Sequence, residues 1–384
     1  MSELPPPSAV TPSGWYPDPT GTGGWRWWDG TMWTPHVSAP TAERRPRLPR
    51  FLSPPVLVGG ILSLGLVVLI GVVSPSSVVA GLIPLAIVLP VLSWLDRVEP
   101  EPWSSRIHAL LWGAGVAIIV AGIVNSIVGA IFGEVAAMVV SAPVVEEGAK
   151  ALGIVWAVRR REIDGVSDGV VFAGWVALGF AVVEDMTYFA IADVEGAFAA
   201  TVVLRAFLTP FAHPLFTFWI GLAIGLAVRR GRRLWPALVW GSALAVGTHA
   251  LWNGSLVLAD VTYTADGDAG TAILLGAIAL FVVLFVAVAV TLFVMRRREQ
   301  RRFMAAVPAL VLRYGVSPDE AAMFAEWQTM LRARRRLPRA RRRDFDRVHA
   351  ALARLSLVQE PGADPGREPV LADQLGDALA RYRA

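Results

Sequence analysis

Cysteine is absent from all 384 residues, so the chain holds no disulfide, no thiolate nucleophile and no cysteine-ligated zinc. Any metal would have to be held by histidine and carboxylate. Lysine is nearly absent as well: Lys150 is the single one among 35 basic residues, and it lies inside an apolar segment. Charge is scarce, at 17% of residues, where soluble domains carry about 25%. The first 50 residues lack a basic start followed at once by an apolar run, so no secretory signal is read and the first apolar segment is expected to act as an uncleaved anchor. What the chain has in abundance is apolar surface, with 55% hydrophobic residues and a mean hydropathy of +0.53. These proportions describe a membrane protein. A net charge of +4 does not argue for nucleic acid, because the arginines stand in short clusters beside apolar runs, as membrane orientation requires.

A spanning helix needs about 20 mostly apolar residues. Eight segments meet this, over residues 56–73, 78–95, 107–132, 135–158, 169–190, 201–228, 234–258 and 271–295. The fold class expected is therefore an all-α membrane protein of about eight transmembrane helices. Eight spans put alternate connections on opposite sides. One set holds Arg44, Arg45, Arg47 and Arg50, then Arg97 and Arg106, then Arg159 to Arg161, then Arg229, Arg230, Arg232 and Arg233, then the arginines from Arg296 to Arg302. The other set holds Glu134, Asp193, Glu195, Asp260, Asp266 and Asp268 and no arginine. This segregation predicts both termini in the cytoplasm of a cell carrying the protein in its plasma membrane.

Three regions follow. Residues 1–50 hold a Trp-rich module with a core at 13–37, where five of the fifteen tryptophans fall between Gly14 and Thr34 and Asp29-Gly30 between aromatic runs signals a hairpin. It resembles a short Trp-rich domain of unknown function found at the cytoplasmic ends of many actinobacterial membrane proteins, and is read as a small β-hairpin-like unit that docks a cytoplasmic partner. Residues 51–297 form the multi-span domain. Residues 298–384 form an Arg-rich helical tail, in which Ser317-Pro318-Asp319-Glu320 is a capping box opening an amphipathic run to about Arg336. Eight arginines lie between Arg332 and Arg343, placed either on solvated helix faces or against anionic headgroups. Pro361 to Pro369 reads as a linker.

Ionisable groups inside spans cost about 2.5–3.5 kcal/mol on translocon scales and point to function. Glu146, Glu147 and Lys150 lie in the fourth span, Glu184 and Asp185 in the fifth, His213 in the sixth, and His249 with Asn253 in the seventh; Asn125 is a minor polar group elsewhere. At about 1.5 Å per residue from the cytoplasmic ends, Glu146 lies about 18 Å deep and Glu184, His213 and His249 about 22 Å deep. Four helices of alternating direction thus carry their ionisable groups in one layer. Within helices, Glu146 shares a face with Lys150, Phe180 with Glu184, His213 with Thr217 and His249 with Asn253. Lys150 reads as the counter-ion of the paired glutamates. Arg205, near the outer end of the sixth span, reads as an interfacial anchor or a pair for Asp193 or Glu195.

Carboxylates and imidazoles at a shared depth suit the activation of water. No H-E-x-x-H and no paired intramembrane aspartates of the G-x-G-D kind occur, and the G-x-S-x-G match at Gly165-Val166-Ser167-Asp168-Gly169 ends where the fifth apolar segment begins, apart from the ionisable layer. Glutamate-dependent hydrolysis remains, with a proton-coupled transporter using the same layer as a relay, or a non-enzymatic membrane scaffold, as the alternatives.

Glu146-Glu147-Gly148-Ala149-Lys150, Gly179 to Glu184, His213-Pro214-Leu215-Phe216-Thr217 and His249-Ala250-Leu251-Trp252-Asn253 resemble the four ordered motifs of the PrsW family of intramembrane proteases, distant relatives of the CAAX prenyl endopeptidases. The resemblance covers about residues 50 to 297. Asp185 departs from it, standing where Asn is expected after the second-motif Glu. The resemblance implies an endopeptidase that cuts a membrane protein at or near the bilayer face, with an anti-sigma factor in envelope-stress signalling as one such substrate. By motif, Glu146 would be the general base on water, supported by Glu147 and Lys150. Glu184, His213 and His249 would hold the water or a metal, and Asn253 would donate to the oxyanion. A divalent metal such as zinc on His213, His249 and Glu184 and a metal-free glutamyl mechanism both stay open.

Overall fold

The computed structural model describes residues 14–17, 19–20, 25–28, 31–38, 53–96, 101–314, 316–358 and 368–383, in two units, Met1–Leu48 and Pro49–Ala384. The first unit holds strands β1 Gly14–Pro17, β2 Trp25–Trp28 and β3 Trp33–Ser38. They pair antiparallel in the order β1-β2-β3, with Trp15 opposite Trp27 and Trp28 opposite Trp33. The sheet has one strand more than a single hairpin. Asp29 and Gly30, the expected turn, lie outside the described residues, as does most of the expected linker at 361–369.

From Ser53 onward the described chain is helical. Eight long helices follow: α1 Pro54–Val73, α2 Pro75–Leu95, α3 Trp103–Phe132, α4 over 134–159, α5 Val166–Val194, α6 Phe198–Arg229, α7 Leu234–Ala265 and α8 Gly267–Tyr314. Prolines stand in the first turn of α1 and α2, where a missing N–H costs nothing. α3 turns directly into α4 at Gly133, whose φ of 88° is open to glycine at no steric cost.

Seven of these helices are long and apolar enough to cross a membrane among the described residues, against the eight expected. The difference is α4. It is helical along a length of about 39 Å at about 1.5 Å per residue, but Glu146, Glu147 and Lys150 occupy its middle, and composition alone does not mark such a helix as a span.

Helix α5 sits at the centre, buried along nearly all its length. Its crossing with α3 is backbone on backbone: a Cβ on Gly113 would stand 1.9 Å from the Val176 carbonyl oxygen, and one on Gly179 would stand 2.0 Å from that of Leu110. Small residues there let the two helices touch, the usual packing device in membranes. Three helices carry π-helical turns, Trp112–Ala117 in α3, Ala137–Ser141 in α4 and Val203–Leu208 in α6. Helix α6 also breaks after Leu208 and restarts at Ala212, with Pro210 in the gap. Non-helical backbone at membrane depth is tolerated where it lines a cavity, and this break does so.

After α8 come α9 Pro318–Ala325, α10 Trp327–Arg336, α11 Arg339–Val358 and α12 Glu368–Arg383. The capping box closes both ways: Glu320 N–H donates to Ser317 Oγ at 3.1 Å, and Ser317 N–H to Glu320 Oε2 at 2.9 Å. The amphipathic run expected to about Arg336 is interrupted at Glu326 and becomes two helices. The tail buries its own core, which includes Phe324, Phe345, Leu352 and Leu375 together with Phe303 from the end of α8.

Candidate active site

Four helices deliver the ionisable layer to one place. From α4, Glu146 and Glu147 stand one turn from Lys150, whose Nζ lies 3.4 Å from Glu146 Oε2 and 2.9 Å from Glu147 Oε1. Lys150 is fully buried, 3.9 Å over the Phe180 ring of α5. Its Nζ also lies 3.1 Å from His213 Nδ1 on α6. His213 Nε2 reaches Glu184 Oε2 of α5 at 2.8 Å. His249 of α7 sets Nδ1 3.2 Å from Glu147 Oε1 and Nε2 4.0 Å from Glu146 Oε2, with its ring stacked on Phe216 at 4.5 Å. Lys150 is thus the counter-ion read from the sequence.

The two glutamates are treated differently. Glu147 accepts from three donors: Lys150 Nζ, Thr217 Oγ1 at 2.8 Å and His249 Nδ1. Glu146 has only long contacts, to Lys150 and to Asn125 Nδ2 at 3.5 Å. Glu146 lines a cavity of about 130 Å³ beside Glu184, His213, His249 and Asn253, whereas Glu147 does not reach it.

Other residues fall where the sequence did not place them. Asn253 lines the cavity, but its Nδ2 donates to the Met138 carbonyl at 2.8 Å, in the π-turn of α4. Arg205 pairs with neither Asp193 nor Glu195. It spans Glu184 and Asp185, donating to Asp185 Oδ1 at 2.7 Å and also to Glu184 Oε2, with its guanidinium over Tyr188. Asp193 instead accepts from Ser74 Oγ. The reason is the π-helical turn at Val203–Leu208, which carries Arg205 beside the cavity rather than toward the bilayer face. Its signal in the sequence was an arginine on the side whose connections hold none. Asp185, on the departing motif position, is thereby paired and buried. Thr217, noted only for sharing a face with His213, turns out to hold Glu147. Asn125 receives Ser141 Oγ at 2.7 Å and supports Glu146.

The donor chemistry fits a divalent metal in one combination. One atom each from Glu146, His213 and His249 lie within 4.8 Å of one another, all three buried. This differs from the expected set of His213, His249 and Glu184, because Glu184 is engaged by Arg205 and by His213 Nε2. His249 is disposed as a ligand, since Nδ1–H donates to a carboxylate and Nε2 is left bare.

A multi-span helical unit with a buried Glu/His/His group beside a polar cavity has the construction of an intramembrane peptidase. Residues 101–291 match the PrsW family intramembrane metalloprotease, and residues 13–46 match a protein domain of unknown function, DUF2510. The chain carries a PrsW-family intramembrane metalloprotease domain behind that N-terminal domain, and is a multi-pass membrane peptidase acting on protein substrates. The Protease PrsW of Geobacillus kaustophilus (strain HTA426) is 29% identical over 206 residues, covering 47% of this chain and 89% of that protein. No solved structure matches the chain.

Proposed function

We propose that the chain hydrolyses a peptide bond of a membrane protein, with Glu146 as the general base on water. The observation that carries this is the contrast between the glutamates: Glu146 faces the cavity with weak partners, while Glu147 is saturated by three donors and turned away from it. Glu147 is a positioning residue. As a carboxylate beside an ammonium it can only accept, so His249 carries its proton on Nδ1 and presents the Nε2 lone pair toward Glu146.

The reaction runs on these groups. Glu146 takes a proton from water as the water oxygen bonds to the scissile carbonyl carbon. The same proton passes to the leaving nitrogen as the C–N bond breaks, yielding a new carboxyl and a new amine. Arg205, held at the cavity wall, and Asn253, once released from Met138, are the donors placed to meet the developing oxyanion. Glu184 keeps His213 oriented through Nε2. A divalent metal, where bound, would be held by Glu146, His213 and His249 and would polarise the carbonyl.

In this reading α4 crosses the bilayer with the other seven helices, both termini lie in the cytoplasm, and the plasma membrane holds the protein. The functional division is 1–50, 51–297 and 298–384, with the Trp-rich module docking a cytoplasmic partner. The substrate is a membrane-anchored regulator of the anti-sigma kind, which the family resemblance favours.

Glu146→Gln removes the base and keeps the shape. Peptide mapping of new N-termini in membranes, with wild type and variant at equal level, should show termini near spanning segments that vanish in the variant. Identical termini in both would overturn the proposal.

A further inference from the structure

A cation already occupies the middle of this site. Lys150 Nζ lies 2.9 Å from Glu147 Oε1, 3.4 Å from Glu146 Oε2 and 3.1 Å from His213 Nδ1, with the Phe180 ring beneath it. An ammonium offers hydrogens and no lone pair. His213 must therefore accept at Nδ1, and its ring proton stands on Nε2, where it donates to Glu184 Oε2 at 2.8 Å. Both nitrogens of His213 are then spent. A metal would need the Nδ1 lone pair, which the lysine holds, or Nε2 stripped of its proton and its bond to Glu184.

His249 is built the opposite way. Its Nδ1–H is tied to Glu147 and its Nε2 is bare. Of the three residues able to hold a metal, two turn their acceptors toward the same ammonium, and the third alone stands ready. In the closed site the Lys150 side chain is fully buried, packed on Phe180 of α5 and against His213 of α6.

We infer that the Lys150 ammonium is a resident cation of this site, which keeps a divalent metal off the Glu146, His213 and His249 group by holding the Nδ1 lone pair of His213. Metal affinity is then set by the lysine as much as by the ligands: a metal enters only when the ammonium swings out. Lys150 is a positioning residue that selects the tautomer of His213. The inference builds on the proposed reaction site, yet it concerns cation occupancy, which is measured without any substrate.

The test uses the full chain in detergent micelles, titrated with cobalt(II) and followed by its visible absorption, with bound zinc counted after dialysis. Lys150→Met should bind cobalt at least about tenfold more tightly than wild type, the scale on which neighbours of ligands act. Lys150→Arg, which keeps a cationic donor, should return the affinity toward wild type. Lys150→Met combined with His213→Ala should lose the gain. Equal affinity in wild type and Lys150→Met overturns the inference.

Because Lys150→Met leaves two glutamates without their counter-ion, the unaltered protein supplies a second reading. Nitrogen NMR of the histidine-labelled chain, with His213→Gln for assignment, should show His213 with a bare Nδ1 and a protonated Nε2. A protonated Nδ1 overturns the inference as well. Neither measurement reads peptide cleavage, so a failure here is separable from a failure of Glu146→Gln to stop hydrolysis.

Discussion

Thr217 shows how much a single hydroxyl decides. Its Oγ1 is one of three donors on Glu147, and Glu147 in turn holds the His249 tautomer and half of Lys150. Thr217→Val keeps the volume and deletes the donor, leaving a buried carboxylate oxygen unsatisfied, at a cost of about 1–3 kcal/mol. The expected outcome is a protein that still folds, with a lower melting temperature and a cleavage rate reduced through kcat rather than KM. A variant indistinguishable from wild type in both would show that Glu147 is held without Thr217. The ionisable residues that converge here were legible in the sequence because such groups stand out in apolar helices. The bonds between them were not, since Thr217 and Arg205 become partners only through helix rotation and a π-turn.

Helices α3 and α5 meet where neither has a side chain. With less than 2.5 Å between an added Cβ and a facing carbonyl oxygen at Gly113 and Gly179, backbone must move to admit even alanine. Gly179→Ala is expected to destabilise the unit by about 3 kcal/mol, at the upper end for overpacking, and to displace Phe180, the ring beneath Lys150. Thermal unfolding in micelles checks the first expectation, and loss of cleavage at a temperature where the variant stays folded checks the second. Gly60→Ala, a helical glycine in α1 with nothing within 4 Å of its added Cβ, is the matched control and should change neither. The glycines were visible in the sequence, but thirty-five of them are present, and only the crossing tells which ones bear a neighbour. The break in α6 was hidden in the same way: Pro210 lies in a run apolar enough to read as one span.

At the scale of the molecule, α8 passes without interruption from the apolar layer into the tail, so the two share a rigid element. Tail stability depends on pH through His349, buried beside Phe303 and Phe324. Burial pushes its imidazole down from 6.5 to about 4, with Asp346 opposing and Arg296 reinforcing. The sign follows from linkage: the unfolded chain binds the proton first, so the stability is present above pH 6.5 and is lost as pH falls toward 4, by up to about 3 kcal/mol. Amide protection factors over α9 to α11, which are corrected for the pH dependence of exchange in an unfolded chain, should fall as pH falls across that window in wild type. His349→Leu should flatten the response; an equally steep response in the variant would assign it to another group. Glu320 adds a smaller effect of opposite origin, since Arg383 and the Ser317 cap hold its carboxyl below the usual range.

Sequence alone determined the membrane class and singled out the ionisable residues that four helices bring together, because hydropathy, arginine placement and helical rise are properties of the chain taken one residue at a time. It also determined the Ser317 cap, which is local. The tertiary structure decided which glutamate faces the cavity, which donors saturate its neighbour, and that Arg205 belongs to the site. Those depend on how four helices are rotated about their axes, and the packing that sets rotation, glycine against backbone and ring against ring, joins residues far apart in the chain.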